Sequence, residues 1–226
     1  MNANTDTESR PNPLDSWRGR FGQEYIQRNQ ASPAATAEAA IVFRRILQTS
    51  RIGAEIESIL EVGASIGINL IGLRQALGES VRIAAVEPNP SAIEQLRSNT
   101  TLNLEKVMRA DAYEIPLPDQ SYDLLLTNGV LIHVPPNRLP AAMREIVRVS
   151  RKYVMCSEYF SHLPVEIPYH GQQGLLWKRD FAQAYLECCP DLSVHDYGFL
   201  WQGEFPHFDN LHWWILKKSH TDRAGV

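Results

Sequence analysis

The chain has few cysteines: Cys156, Cys188 and Cys189 are the only three in 226 residues. The number is odd, no two stand in CxxC spacing and two are adjacent, which suits neither a disulfide framework nor a tetrahedral zinc site. A reducing compartment, the cytoplasm, is the expected setting, and no metal is expected. Positive charge is scarce too. Lys and Arg number 22 against 26 Asp and Glu, a formal charge of -4, whereas holding nucleic acid by phosphate neutralisation needs a clustered excess of cations. A small-molecule partner is expected instead. Long apolar runs are missing as well: nothing spans a bilayer, and Met1 to Asp15 is polar, without the apolar segment of a signal peptide. Membrane insertion and secretion are not expected.

What is present, 44% hydrophobic and 21% charged residues, can bury one sizeable α/β core but hardly two. A single domain is expected over 16–218, between a disordered lead (1–15) and a flexible tail (219–226). Its first part, 16–50, reads as a helical cap. Ser32-Pro33 is a helix start, and Ile41, Val42, Ile46 and Leu47 follow at helical spacing. Earlier, Phe21, Tyr25 and Arg28 share one helical face, as either a lid or a helix docked on the domain.

From residue 58 the pattern alternates. Strands are expected at 58–62, 82–86, 106–110, 122–127 and 152–158, and helices at 66–77, 91–99, 138–149 and 178–187. Several of these strands are apolar on both faces, which predicts a Rossmann-like α/β fold with a mostly parallel sheet covered on both sides. Two last strands, 193–201 and 210–217, are joined by a short polar link without a helix. They predict an antiparallel hairpin on the edge, for seven strands in all.

Glu61 to Gly67 reads EVGASIG between a predicted strand and a predicted helix. Glycine lets the backbone approach a ligand there, and the helix start offers free N–H groups. Alone, the turn suits a purely geometric βα connection, a dinucleotide loop, or a nucleophile elbow with Ser65 attacking. The elbow would lie on the first strand, with little chain before it for the earlier strands of a hydrolase sheet. Next, Glu87 in AAVEPNP ends the second strand, where a carboxylate accepts both ribose hydroxyls of a nucleoside; it also stands where Asn89-Pro90 opens a helix. Asp111 ends a third strand and Asn128-Gly129 a fourth. All lie at the carboxyl edge, where open α/β sheets bind ligands.

Together these motifs resemble the class I S-adenosylmethionine (SAM)-dependent methyltransferases, over roughly Glu57 to Lys217. The resemblance implies SAM as cofactor and S-adenosylhomocysteine (SAH) as product. It implies the methionine part of SAM at Gly63, Ser65 and Gly67, the ribose on Glu87, the adenine at Asp111 and Ala112, and the sulfonium between Asn128 and Gly129. Glu61, Asn69, Pro88 and His133 complete the cofactor candidates. An NAD(P)-dependent oxidoreductase shares the first two signals but wants a third glycine where Ile68 and Asn69 stand, and no convincing Tyr-x-x-x-Lys pair is present. The segments WRGRFGQEYIQRN (Trp17 to Asn29) and EYFSHLPVEIPYHGQQGLLWKRDFA (Glu158 to Ala182) resemble the methylases associated with pseudaminic acid biosynthesis. That implies a small polar, acidic acceptor such as a nonulosonic acid, methylated at O or N. A SAM-binding partner or regulatory protein without catalysis is the alternative, and the intact strand-end motifs favour the enzyme.

Methyl transfer from a sulfonium is an in-line displacement, so a base is needed only when the acceptor must lose a proton. His133 is the best-placed titratable group, either as that base or packed against the adenosyl group. Glu158 and His170 are further catalytic candidates, and Tyr159, Glu166 and Tyr169 share their loop, where acceptor contacts collect. Lys178 and Arg179 open the last predicted helix, where cations misfit the dipole and could hold an acceptor carboxylate; Asp180 suits the same turn. Tyr25, Arg28 and Asn29 from the lid, with Trp201 and Phe208 from the hairpin, complete the substrate-binding candidates, although hairpin aromatics also serve as packing.

Overall fold

A computed structural model describes residues 12–219; residues 1–11 of the expected lead and 220–226 of the expected tail lie outside them. Asn12, within that lead, caps helix α1 (Pro13–Arg18) by accepting the Leu14 N–H. Helix α2 (Arg20–Arg28) follows. Helix α3 (Pro33–Thr49) starts as its sequence predicts, with the Ser32 hydroxyl accepting the Ala35 N–H and Pro33 in the first turn.

The alternation then holds: β1 (Ser58–Val62), α4 (Ile68–Leu77), β2 (Arg82–Glu87), α5 (Pro90–Ser98), β3 (Lys106–Arg109), β4 (Tyr122–Asn128), α6 (Leu139–Val149) and β5 (Ser150–Glu158). A two-stranded ribbon that the sequence did not announce, β6 (Val165–Glu166) with β7 (Trp177–Lys178), precedes α7 (Phe181–Cys188). Two-residue strands are too short to carry a period. Asp180 caps α7 by accepting the Gln183 N–H, so Lys178 and Arg179 lie before the helix rather than in it. The chain closes with β8 (Leu192–Leu200) and β9 (Leu211–Lys218).

The seven strands order as β3-β2-β1-β4-β5-β9-β8, with β9 antiparallel to both neighbours and β1 to β5 parallel. Every residue of β1 is buried, which is why the strand reads as continuously apolar. One sheet face packs Leu60, Val86, Leu125 and Val154 against α6 and α7. The other packs Ile59, Ile83, Leu124 and Met155 against α3 and α4. The link between β8 and β9 is less polar in effect than it reads, because Phe205 and Phe208 are buried and Phe208 meets Phe43 of α3 edge-on.

Helices α1 and α2 stand outside both cores. Ile26 joins only a satellite cluster with Ile66 and Ala92, and burying one such side chain is worth roughly 2 kcal/mol. Aromatic contacts from Trp17 and Phe21, with polar contacts at the sheet's carboxyl edge, add to the holding.

The cavity at the carboxyl ends of the parallel strands

The chain leaves β1 toward β2 on one side and returns to β4 on the other, so the turns after β1 and β4 diverge and a crevice opens between them. Here the cavity measures about 550 Å3. Turns after β1, β2, β3 and β4 form its floor; α1 and α2 roof it; the loop after β5 and the hairpin link wall it. Of the expected cofactor residues, Gly63, Ser65, Asn69, Glu87, Pro88, Asp111, Ala112, Asn128, Gly129 and His133 line it. So do Tyr25, Arg28, Asn29, Tyr159, Tyr169 and Phe208 from the acceptor set.

The turn after β1 is shaped by Gly63 and Gly67, both at positive φ (76° and 85°). A Cβ on Gly63 would come within 2.6 Å of Val130 Cγ2, so only glycine lets the first and fourth turns meet. Gly67 caps α4 and does not itself reach the cavity. The Ser65 N–H donates to Glu87 Oε2 and the Asn89 N–H to Oε1, both at 2.8 Å. Burial nevertheless outweighs these bonds and pushes the Glu87 carboxyl up to about 7. Glu61 lies behind the lining: Asn69 donates to its Oε1 at 2.7 Å, its Oε2 is buried without a partner, and burial pushes it up to about 8. Asn128 Oδ1, in the lining itself, is likewise buried and unpartnered.

The roof is tied to the floor at two points. Arg18 donates to Asp111 Oδ2 at 2.8 Å while Asp111 Oδ1 accepts the Tyr113 N–H. Asn89 Nδ2 donates to the Trp17 carbonyl at 2.9 Å. The Trp17 ring then lies 4.5 Å from the His133 ring, centroid to centroid. His133 Nδ1 is 2.6 Å from the Leu175 carbonyl oxygen. A carbonyl only accepts, so Nδ1 carries the proton and Nε2 keeps its lone pair. Burial pushes this imidazole down to about 4, so it is uncharged at neutral pH.

Several expected site residues take other places. Glu158 is fully buried, its Oε1 accepting the N–H groups of Val130 and Leu131 and its Oε2 that of Ile132, at 3.0 to 3.3 Å. It holds the turn that carries His133 and is not in the cavity lining. His170 packs against Tyr169 and Phe21. Lys178 Nζ lies 4.9 Å over the Tyr159 ring, the Arg179 guanidinium lies over Phe181, and Trp201 is 60% exposed at the end of β8. None of these four lines the cavity either. Glu166 accepts the Gly174 N–H.

The cavity also includes residues not singled out beforehand. Trp17 sits in a quoted segment but had no role; its indole N–H is buried without a partner. Asn89 was legible only as a helix opener. Asp209 Oδ2 accepts the Tyr159 hydroxyl at 2.5 Å, and no periodicity marks it. Along the floor, acceptors stand at the ends of β1 to β4 as a nucleoside with an amino group requires. Among the described residues no group of three His, Cys, Asp or Glu could hold a metal, and no helix is long and apolar enough to cross a membrane.

Residues 59–153 match the family model described as a methyltransferase domain. An uncharacterized methyltransferase of Schizosaccharomyces pombe is 31% identical over 113 residues, 45% of this chain and 40% of that protein. The chain spans about two fifths of the length of the curated relatives it matches. Among solved structures, 1,6-didemethyltoxoflavin-N1-methyltransferase of Burkholderia thailandensis, with 1,6-didemethyltoxoflavin and SAH bound, is similar with a TM-score of 0.62 at 16% identity, over 91% of this chain and 85% of that one. Magnesium protoporphyrin IX methyltransferase of Synechocystis, with SAM bound, gives 0.67 at 11% identity, over 94% and 100%. At these identities what is shared is the fold.

Proposed function

We propose that this chain, whose methyltransferase domain has the class I SAM-dependent fold, transfers a methyl group from SAM to a small polar acceptor at oxygen or nitrogen. The observation that carries this reading is the row of acceptors at successive strand ends: unpartnered Asn128 Oδ1 with Glu61 Oε2 behind it, then Glu87, then Asp111. They match the ammonium, the ribose hydroxyls and the adenine amino group of SAM in order. The SAM-associated structural neighbours and the matched domain support the same cofactor. A sugar acid such as a nonulosonic acid is the acceptor class suggested by Trp17 to Asn29 and Glu158 to Ala182.

When bound, SAM supplies an electrophilic methyl group on a cationic sulfur. Glu87 holds the ribose and Asp111 the adenine, while Asn128 and Gly129 flank the sulfonium. His133 offers an uncharged Nε2 to the O–H or N–H of the acceptor. With its basicity lowered by burial, the imidazole serves chiefly to aim the nucleophile, and alignment and water exclusion supply most of the acceleration. Glu158 keeps the Val130 to His133 turn in place for that task. The α1–α2 roof shields the reacting atoms from water.

Calorimetric titration of the chain with SAM, SAH and NAD tests the cofactor. Micromolar or tighter binding of both adenosyl ligands is expected, with none of NAD. Absence of both adenosyl ligands sinks the proposal. A Glu87→Ala chain should bind SAH at least about tenfold more weakly, and unchanged affinity would refute the ribose assignment.

A further inference from the structure

The cavity lining carries three carboxylates, Glu87, Asp111 and Asp209, against one guanidinium, Arg28. Glu87 and Asp111 belong to the floor, and Asp111 is already paired with Arg18. Asp209 stands apart on the hairpin link, with the Tyr159 hydroxyl donating to it. Tyr25 and Tyr169 line the cavity with Tyr159. Burial first keeps all three phenols protonated, Tyr25 pushed up to about 12; the Asp209 charge adds to it at each, while the Arg28 charge opposes it at Tyr25 and Tyr169.

Three aromatic rings about one carboxylate is a composition that recognises an ammonium group: the carboxylate supplies charge and a hydrogen bond, the rings their negative faces. An anionic group entering here would meet Asp209 and find only Arg28 in compensation. The two cations expected to receive an acidic acceptor, Lys178 and Arg179, stand outside the lining.

We infer that the tyrosine-lined wall around Asp209 is a subsite for an amino group of the acceptor, so that the atom methylated is nitrogen, and that Arg28 serves the methionine carboxylate. The inference rests on the SAM reading above and narrows its choice between O and N. The nitrogen is held by Asp209 as an ammonium and gives one proton to solvent at the mouth, where Asp209 is exposed. Its freed lone pair then forms the N–C bond while the C–S bond breaks, the bonding pair going to sulfur. The products are the N-methylammonium compound, SAH and one proton. Asp209 acts as a binding and specificity residue, and a sugar acid fits this subsite only when it carries an amine.

The test is methyl incorporation from labelled SAM by the full chain into matched pairs: glucosamine with glucose, ethanolamine with ethylene glycol, serine with glycerate. Incorporation confined to amine members, with the methyl group on nitrogen in the product, is expected, and a methyl group on oxygen would overturn the nitrogen assignment. Asp209→Asn should lower kcat/KM for the best amine by about ten- to a hundredfold, while SAH affinity stays within about twofold. Equal methylation of the hydroxyl or acid members, no methylation of any amine, or an unchanged amine preference in Asp209→Asn would overturn the amine subsite. Arg28→Ala should weaken SAH binding by about tenfold or more, and unchanged affinity would overturn the Arg28 assignment. Failure of the parent chain to bind SAH would instead overturn the donor reading, so the failures are distinguishable.

Discussion

Glu158→Gln should change how the stability of this protein depends on pH. The Glu158 carboxyl is fully buried, and burial outweighs its three backbone N–H bonds and raises it from 4.5 to about 7. Between those two values the unfolded chain has given up this proton and the folded chain has kept it. Stability therefore falls as pH rises through this window, at about 1.4 kcal/mol per unit, or roughly 3 kcal/mol in total from this group. Above about pH 7 the loss is complete. Glutamine has nearly the same shape, its carbonyl can still accept from the Val130 and Leu131 amides although its NH2 replaces the acceptor of Ile132, and it does not titrate. Urea unfolding at pH 5, 6, 7 and 8 should show the Gln chain losing about 2.5 kcal/mol less than the parent across the series, the rest of the effect lying below pH 5. The remaining slope combines further losses from Glu61 and Glu87, both raised by burial, with an opposing gain up to about pH 6.5 from His133, which burial lowers. Parallel pH dependences for the two chains would refute the reasoning, because they would mean that Glu158 titrates alike folded and unfolded.

The same physics reaches the proposed ligand binding: if Glu87 holds the ribose hydroxyls, it does so best as a carboxylate, so SAH affinity should rise as pH climbs through about 7, with protons released on binding. Calorimetry in buffers of different ionisation enthalpy reads that release, and pH-independent affinity from 6 to 8 would count against it. Gly63→Ala forces a left-handed residue against Val130 at 2.6 Å, and SAH binding should weaken by about tenfold or more; a shift under about twofold would show that the first and fourth turns separate freely. Arg18→Ala removes a half-exposed ion pair worth little to global stability. It should instead speed amide exchange in residues 13–28 while β1 stays protected, and unchanged exchange in that segment would mean that the Arg18–Asp111 tie does not hold the roof.

The sheet was legible in the sequence because its central strands are buried on both faces and so read as short apolar runs; β1 spans Ser58–Val62, as its run predicts. The floor was legible because strand ends carry residues whose chemistry and spacing are local: Glu87 lies 22 residues after Ser65, whose N–H it accepts. The walls were not. Tyr159 and Asp209 meet across 50 residues, and Arg18 and Asp111 across 93, through loops whose polar side chains have no period. Asp209 looks in sequence like any solvated loop carboxylate. Lys178 and Arg179 failed as lining for a related reason. The ribbon of β6 and β7 places Lys178 on the Tyr159 ring, and a two-residue strand leaves no trace in the pattern.

Glu158 and Glu87 separate what a strand-end carboxylate announces from what it does. Each ends a parallel strand, and each accepts N–H groups from the turn of the neighbouring strand: Glu87 of β2 from Ser65 after β1, and Glu158 of β5 from Val130 to Ile132 after β4. In both cases the carboxylate pins an adjacent βα turn, and burial raises its pKa against the lowering effect of those N–H bonds. The difference is that Glu87 also lines the cavity and Glu158 does not, although β2 and β5 each stand one strand out from the crevice between β1 and β4. Sequence supplies the carboxylate and its strand end in both cases. Sheet order is symmetric for the two, so only the packing of the turns decides which of them borders the cavity.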